Sequence, residues 1–248
     1  MPGPDTGVTL LSTNLKGVSS MKLHRDLDIT QKAAWHLAHR IRETWEDAQD
    51  PFFQGPVEAD EVYIGGLEKN KHASKKRKAG RGAVGKTAVV GIKDRATGKV
   101  KMEVVADTTK ETLQGFIHDS TSQDAVVYTD GAKAYEGMAR DHEVVNHAEG
   151  EYARGKVSTN GIESNWAMFR RGIAGVYHHM SPKPLHRYVN EFEGRHNCRE
   201  KDTFAQMAGM VRSGAGKRLP YQELIAGKVF RPLTDGGKET TEQVKDAA

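Results

Sequence analysis

The chemistry-bearing residues are carboxylates in unusual places. Val57-Glu58-Ala59-Asp60-Glu61-Val62-Tyr63-Ile64-Gly65-Gly66 puts three acids into four positions. Its β-branched and aromatic residues, ending on Gly-Gly, otherwise favour a strand. Burying an unpaired carboxylate costs several kcal/mol, so such a run either coordinates a cation or faces water. Side chains alternate along a strand, so Glu58 and Asp60 share one face and Glu61 takes the other. The alternative is an acidic edge strand. Two more acids stand in suggestive positions. Asp130 ends the apolar run Ala125-Val-Val-Tyr128, although Asp130-Gly131 also reads as a turn. Glu163 lies beside the apolar stripe of a helix, where an ordinary surface acid would also fit. Three carboxylates that converge can hold two Mg²⁺ ions about 3.5–4 Å apart. Such a pair activates water or a 3′ hydroxyl for in-line attack on a phosphodiester. Hard cations take oxygen ligands, and the one cysteine, Cys198, allows neither a thiolate cluster nor an internal disulfide.

These acids need elements to position them. Thr87–Ile92 and Lys99–Val105 read as a hairpin turned by Asp94-Arg-Ala-Thr-Gly98. Thr108-Thr-Lys-Glu111 is a capping box opening a helix with Leu113, Phe116 and Ile117 inward, and Asp107 marks the strand-to-helix boundary. Ala125–Tyr128 is a buried strand. A short helix over Tyr135–Arg140 and a strand over His142–His147 follow. Ser158–Arg171 is helical, with Ile162, Trp166, Phe169 and Ile173 as its stripe. Asn160, Glu163, Ala167, Arg170 and Ala174 share another face of that helix. Pro182–Arg199 is a further helix, and a weaker one lies near Met207–Val211. The pattern predicts an α/β fold in which a mixed sheet is flanked by helices and its strand ends leave room for a ligand.

Upstream, Ser20–Leu27 and a helix capped by Thr30 form a pair joined by a turn. Ala34, Ala38, Ile41 and Trp45 make the inward stripe of the second helix, leaving Lys32, His36, His39 and Arg40 outside it. That reads as a helix-turn-helix with a basic outer face, or as a plain helical hairpin packed on the main domain. The net charge is only +4, but it is unevenly placed. The run from Lys69 to Lys86, with Lys75, Lys76, Arg77, Lys78 and Arg81, is too charged to pack and suits phosphate contact. No apolar run approaches the ~20 residues of a membrane span, and no signal pattern opens the chain. The expected setting is a reducing cytoplasm, on the nucleoid. Trp35 and Trp166 are expected in the core. The expected organisation is a flexible lead over 1–16, a helix-turn-helix-like segment over 17–50, a catalytic domain over 51–200, and a helical extension with a disordered tail over 201–248.

The acidic strand, Tyr128-Thr-Asp130-Gly-Ala-Lys-Ala-Tyr135, Thr159-Asn-Gly-Ile-Glu163-Ser-Asn-Trp166 and His178-His-Met-Ser-Pro-Lys-Pro-Leu-His-Arg-Tyr-Val-Asn-Glu-Phe-Glu-Gly-Arg-His-Asn197 together resemble the insertion-sequence transposases of the IS1595 (ISXO2-like) family. The resemblance covers about Gly17 to Leu224. It implies a ribonuclease-H-like domain with a DDE-type site that uses Mg²⁺ or Mn²⁺. It implies Asp60, Asp130 and Glu163 as the metal-binding catalytic acids, separated by 70 and 33 residues. Some members use an asparagine as third ligand, which makes Asn160 the rival of Glu163. Arg170, with Arg171 beside it, falls where related transposases carry a basic residue that grips DNA. The implied partners are element terminal inverted repeats, target DNA and further copies of the chain. Such proteins commonly begin with a cysteine zinc ribbon, so a truncated start is expected here. The implied activity is cleavage at element ends and strand transfer. The alternatives are a nuclease of the same fold and a remnant that only binds DNA.

Overall fold

The computed structural model describes residues 4–14, 16–45, 51–66, 72, 85–145 and 157–226. The acidic stretch forms the central strand of a five-stranded sheet. The strands are β1 (Val57–Ile64), β2 (Thr87–Asp94), β3 (Val100–Val105), β4 (Val127–Asp130) and β5 (His142–Val145), in spatial order β3-β2-β1-β4-β5. The first three pair antiparallel, while β4 runs parallel to both β1 and β5. This is the mixed sheet of a ribonuclease-H-like fold, as expected. An edge-strand reading of the acidic stretch is excluded, since β1 has a partner on each side.

Alternation along β1 divides the core in two. Val62 and Ile64 face α5 (Asn160–Gly172) and α6 (Leu185–Cys198), packing with Ile162, Trp166, Phe169 and Phe192. Val57 and Ala59 face α4 (Lys110–Ser120), packing with Leu113, Phe116 and Ile117. Gly91 of β2, paired with Asp60, allows Trp166 to lie flat on the sheet, because a Cβ there would stand 2.7 Å from the indole. The N-cap of α4 is Thr109, accepting from the Thr112 amide, one residue later than the capping box predicts. Asp107 joins it, accepting from the Thr109 amide and from the Thr109 and Thr112 hydroxyls. The helix expected over Tyr135–Arg140 is instead one 3₁₀ turn, Lys133–Tyr135, and the chain turns away at Gly137, whose φ is 66°.

The N-terminal region departs most from expectation. Residues 1–16 read as a flexible lead, but Pro4–Thr13 form helix α1, with Leu11 fully buried. Its apolar groups pack on distant partners, Met210 of α7 (Thr203–Gly214) among them, which a ten-residue window cannot reveal. Helices α2 (Ser20–Leu27) and α3 (Gln31–Arg42) follow, capped by Ser19 and Thr30. The predicted stripe Ala34, Ala38, Ile41 and Trp45 is buried. His39, expected on the outer face, is fully buried too, edge-on to Trp35 and Tyr188. Burial, then the charge of Arg42, pulls its pKa down to about 2, so it is neutral. Trp166 is buried as predicted, whereas Trp35 is half-buried.

Glu191 of α6 locks these helices to the sheet domain. It is wholly buried and receives Arg42 from α3, Arg195 one turn along, and the Tyr177 hydroxyl at 2.9 Å. Those partners hold its carboxyl below the usual range even though burial pushes the other way. A lost partner in a buried ion cluster leaves unmatched charge. Glu191→Ala should therefore cost about 3–5 kcal/mol in urea unfolding. A loss under about 1 kcal/mol would show that Arg42 and Arg195 recover their pairing elsewhere.

Candidate active site

The three sequence-predicted acids lie on three elements: Asp60 in the middle of β1, Asp130 at the end of the neighbouring β4, and Glu163 on α5. Residues paired between β1 and β4 differ by 70, as in Val57 with Val127 and Glu58 with Tyr128. The same offset relates Asp60 to Asp130, two positions further along the parallel strands. Asp130 ends β4 and its Oδ1 accepts the Ala132 amide at 3.1 Å. Glu163 occupies the first turn of α5 and is exposed, with the Thr159 hydroxyl donating to its Oε1 at 3.2 Å. Asn160 is exposed one turn earlier, as the first residue of that helix.

Asp60 registers the convergence. Burial first, then the charges of Glu61, Asp130 and Glu163, push its pKa up to about 7. Only the Glu61 amide, donating to Oδ1 at 2.8 Å, opposes this. On the opposite face of β1, Glu61 accepts the Tyr135 hydroxyl at 2.8 Å. Burial and Asp130 raise the Glu61 carboxyl as well. Tyr135 is fully buried, and burial and these acids push its phenol well above the ordinary value, so it stays a donor. Neither Glu61 nor Tyr135 carries a role in the sequence reading; the three-in-four acid density was the available signal for Glu61, and Tyr135 had none.

These acids do not form a closed metal cage. Among the described residues, no group of three or more His, Cys, Asp or Glu side chains could hold a metal ion as placed. The donor chemistry nevertheless fits a hard divalent cation. All the groups are carboxylates, and their mutual repulsion at Asp60 is what a bound cation relieves.

Glu58, on the Asp60 face of β1, has a different job. It is buried, its Oε2 accepts the Ile162 amide of α5 at 2.9 Å, and its Oε1 pairs with Arg95 at 2.8 Å. Arg95 also reaches the Ser158 hydroxyl at 2.6 Å and lies 4.8 Å over the Tyr128 ring. Gly161 makes room, since a Cβ there would come within 2.6 Å of Glu58 Oε2. This clamp holds the start of α5, and so Glu163, against the strand that carries Asp60.

The predicted phosphate-binding groups are spread more widely. Arg170 and Arg171 are exposed on α5. Lys75, Lys76, Arg77, Lys78 and Arg81 lie outside the described residues. Lys32 and Arg40 are exposed on α3, but that face is partly covered. Lys32 lies 4.5 Å over the ring of Tyr221 in α8 (Tyr221–Ala226), and His36 Nε2 meets the Leu219 carbonyl at 2.9 Å.

The ISXO2-like transposase domain family matches residues 52–197, more than half of the chain and the span that holds all three acids. The chain belongs to that family. Over 189 residues it is 29% identical to an uncharacterised protein in transposable element ISH50 of Halobacterium salinarum, covering 71% of this chain and 64% of that relative's length. The cryoEM structure of the simian T-cell lymphotropic virus intasome in complex with PP2A regulatory subunit B56 gamma contains a chain alike at a TM-score of 0.36 and 14% identity, covering 97% of this chain and 79% of its own. Among the described residues, no helix of this transposase-family protein is long and apolar enough to cross a membrane.

Two predictions follow from the geometry. A carboxyl raised by folding favours the protonated fold, so its stability is fully present below the unfolded value and is lost as pH rises through about 7. Asp60→Asn removes that loss. In EDTA it should stabilise the protein at pH 8, by at most about 4 kcal/mol, and have little effect at pH 4. Equal effects at both pH values would contradict the crowding. For the clamp, Gly161→Ala should destabilise the intact chain by pressing on Glu58. In a Glu58→Ala background it should be neutral, because the clash is gone. Additive losses in that double-mutant cycle would break the proposed contact.

Proposed function

We propose that this protein is a DNA transposase that cuts at the ends of an insertion sequence and joins the freed 3′ end to target DNA. The observation that carries the reading is the convergence of Asp60, Asp130 and Glu163 on one electrostatic site, inside the span that matches the transposase family. Asp60, Asp130 and Glu163 would hold Mg²⁺ or Mn²⁺, with Asn160 the alternative to Glu163 as third ligand. When bound, two such ions supply activation of water or a 3′ hydroxyl and stabilisation of the leaving oxygen.

The chain's own groups do the positioning. Glu61, fixed by Tyr135, adds negative charge beside Asp130 and Asp60 and so strengthens the demand for cations. Glu58 and Arg95 hold the start of α5, the turn that carries Glu163, against the sheet. Arg170 and Arg171, two turns after Glu163, would bind backbone phosphates near the cut. The basic run with Lys75, Lys76, Arg77, Lys78 and Arg81 would add further phosphate contacts, as would Lys32 and Arg40. Cutting two element ends together calls for more than one copy of the chain.

The test is strand transfer by the purified protein on a pre-cleaved DNA end from its own element, with Mg²⁺ or Mn²⁺. Joined products are expected. Asp60→Asn or Asp130→Asn should reduce them by roughly 10²-fold or more while DNA binding persists. Near-normal joining by Asp130→Asn would defeat the assignment. Cleavage without joining would identify a nuclease, and binding with neither activity a DNA-binding remnant.

A further inference from the structure

A second cavity lies away from the acids. It measures about 330 Å³ and opens between α2, α3 and a π-helical turn, Ile173–Tyr177, that continues α5. Trp35, Tyr177 and Tyr188 wall it, Arg42 lies within its lining, and His178 and His179 are exposed at its edge. The volume is within the range of sites that take small organic groups. The Arg42 guanidinium stands 4.3 Å from the Tyr188 ring centre and 5.3 Å from that of Tyr177, and it shares the single carboxylate of Glu191 with Arg195. The pocket therefore offers flat π surfaces and a guanidinium already engaged by two rings and a carboxylate, which suits a planar polar ring.

Three observations set this cavity apart from a packing defect. Trp35 is half-buried there, while Trp45 and Trp166 are buried in the core. His178 sits at φ 55°, ψ −37°, and its amide donates a hydrogen bond to the Ile173 carbonyl at 2.6 Å. That backbone region costs a non-glycine residue about 1–3 kcal/mol and persists where the surroundings enforce it. Glu163 and Arg170 are exposed seven residues apart on α5, and the π-helical turn that follows directly reaches the pocket lining, so one track along the chain leads from the acids past the basic residue to the pocket. At 1.5 Å per residue the track is about 20 Å long, which makes the pocket a separate site.

We propose that this cavity is a stacking pocket for one unpaired base of the DNA, held against Trp35 when the backbone follows the Arg170 track. The proposal rests on DNA being the substrate. A base displaced from its stack finds aromatic faces there in place of its neighbours, and such stacking is sequence-tolerant.

The experiment titrates the wild-type protein with an oligothymidylate and with a blunt duplex of equal length, following tryptophan emission. The single strand should quench Trp35. Trp35→Leu should weaken single-strand binding about 5- to 100-fold and leave duplex binding unchanged, and Trp35→Phe should restore most of the affinity. Single-strand binding with unchanged emission and unchanged affinity in Trp35→Leu would overturn the pocket, as would equal weakening of both DNAs. If the duplex binds and Trp35 does not respond, the pocket alone fails. If neither DNA binds, the DNA-substrate reading fails first and the pocket with it. The wild-type emission change is assigned to Trp35 by its absence in Trp35→Phe, a variant that keeps the ring and so the fold, while Trp45 and Trp166 stay as internal references.

Discussion

The site depends on a tie between a strand and a helix. Glu58 accepts the Ile162 amide and pairs with Arg95, so one buried carboxylate joins β1, the β2–β3 turn and the start of α5. Lys93 Nζ, donating to the Gly161 carbonyl at 3.2 Å, and apolar packing further down, at Val62, Ile162 and Trp166, add to that tie. Packing fixes spacing well but specifies little about the angle of a helix end. A carboxylate on a helix amide does both, and the negative charge also suits the positive end of the helix dipole. The small Gly161 and the small Gly91 are the matching requirements on either side, one for Glu58 and one for Trp166.

With the framework held, the acids on it are brought together against their own repulsion. Asp60 is the member that suffers most, because it is the most enclosed and has Glu61, Asp130 and Glu163 around it. The contrast with Glu58 is instructive. Two acids on the same face of the same strand, one turn of the pleat apart, have opposite fates because one meets Arg95 and a helix amide and the other meets only carboxylates and one amide. A cluster left in that condition is destabilising on its own, and nothing in the packing around β1 requires it. That contrast separates the acid cluster from Glu58, whose contacts are architectural.

The sheet and the elements that carry the candidate acids were legible because their signals are local. The acid-rich β1, the hairpin turning at Asp94–Gly98 and the stripe of α5 each declare themselves within a dozen residues, and the motifs around Asp60, Asp130 and Glu163 lie on them. What escaped depends on contacts across the chain. Leu11 becomes a core residue in a cluster that joins α2 and α3 to Met210 of α7, some two hundred positions later. His39 looks like a surface base until Tyr188 of α6 is placed beside it. Tyr135 reads as part of a short helix, and its bond to Glu61 spans 74 residues. Glu58 was seen as one of three similar acids, since sequence alone cannot say which of them has Arg95 within reach.

The same long-range contacts decide how α3 should be understood. Its predicted stripe packs inward, and Arg42 and His39 bury two more positions that a free helix would turn outward. Lys32 is stacked on Tyr221 and His36 is bonded to the Leu219 carbonyl, so the C-terminal segment occupies part of the remaining face. A helix that reads a major groove needs one long side clear of its own protein. Here the clear surface is broken into Lys32 at one end and Arg40 at the other. The helical-hairpin reading of this region is the one the packing favours, with α3 bracing the sheet domain through Glu191. By contrast, α5 leaves Glu163, Arg170 and Arg171 exposed. It begins at the acids and is rooted by the Glu58 clamp, so a backbone laid along it would be held at a fixed distance from the site.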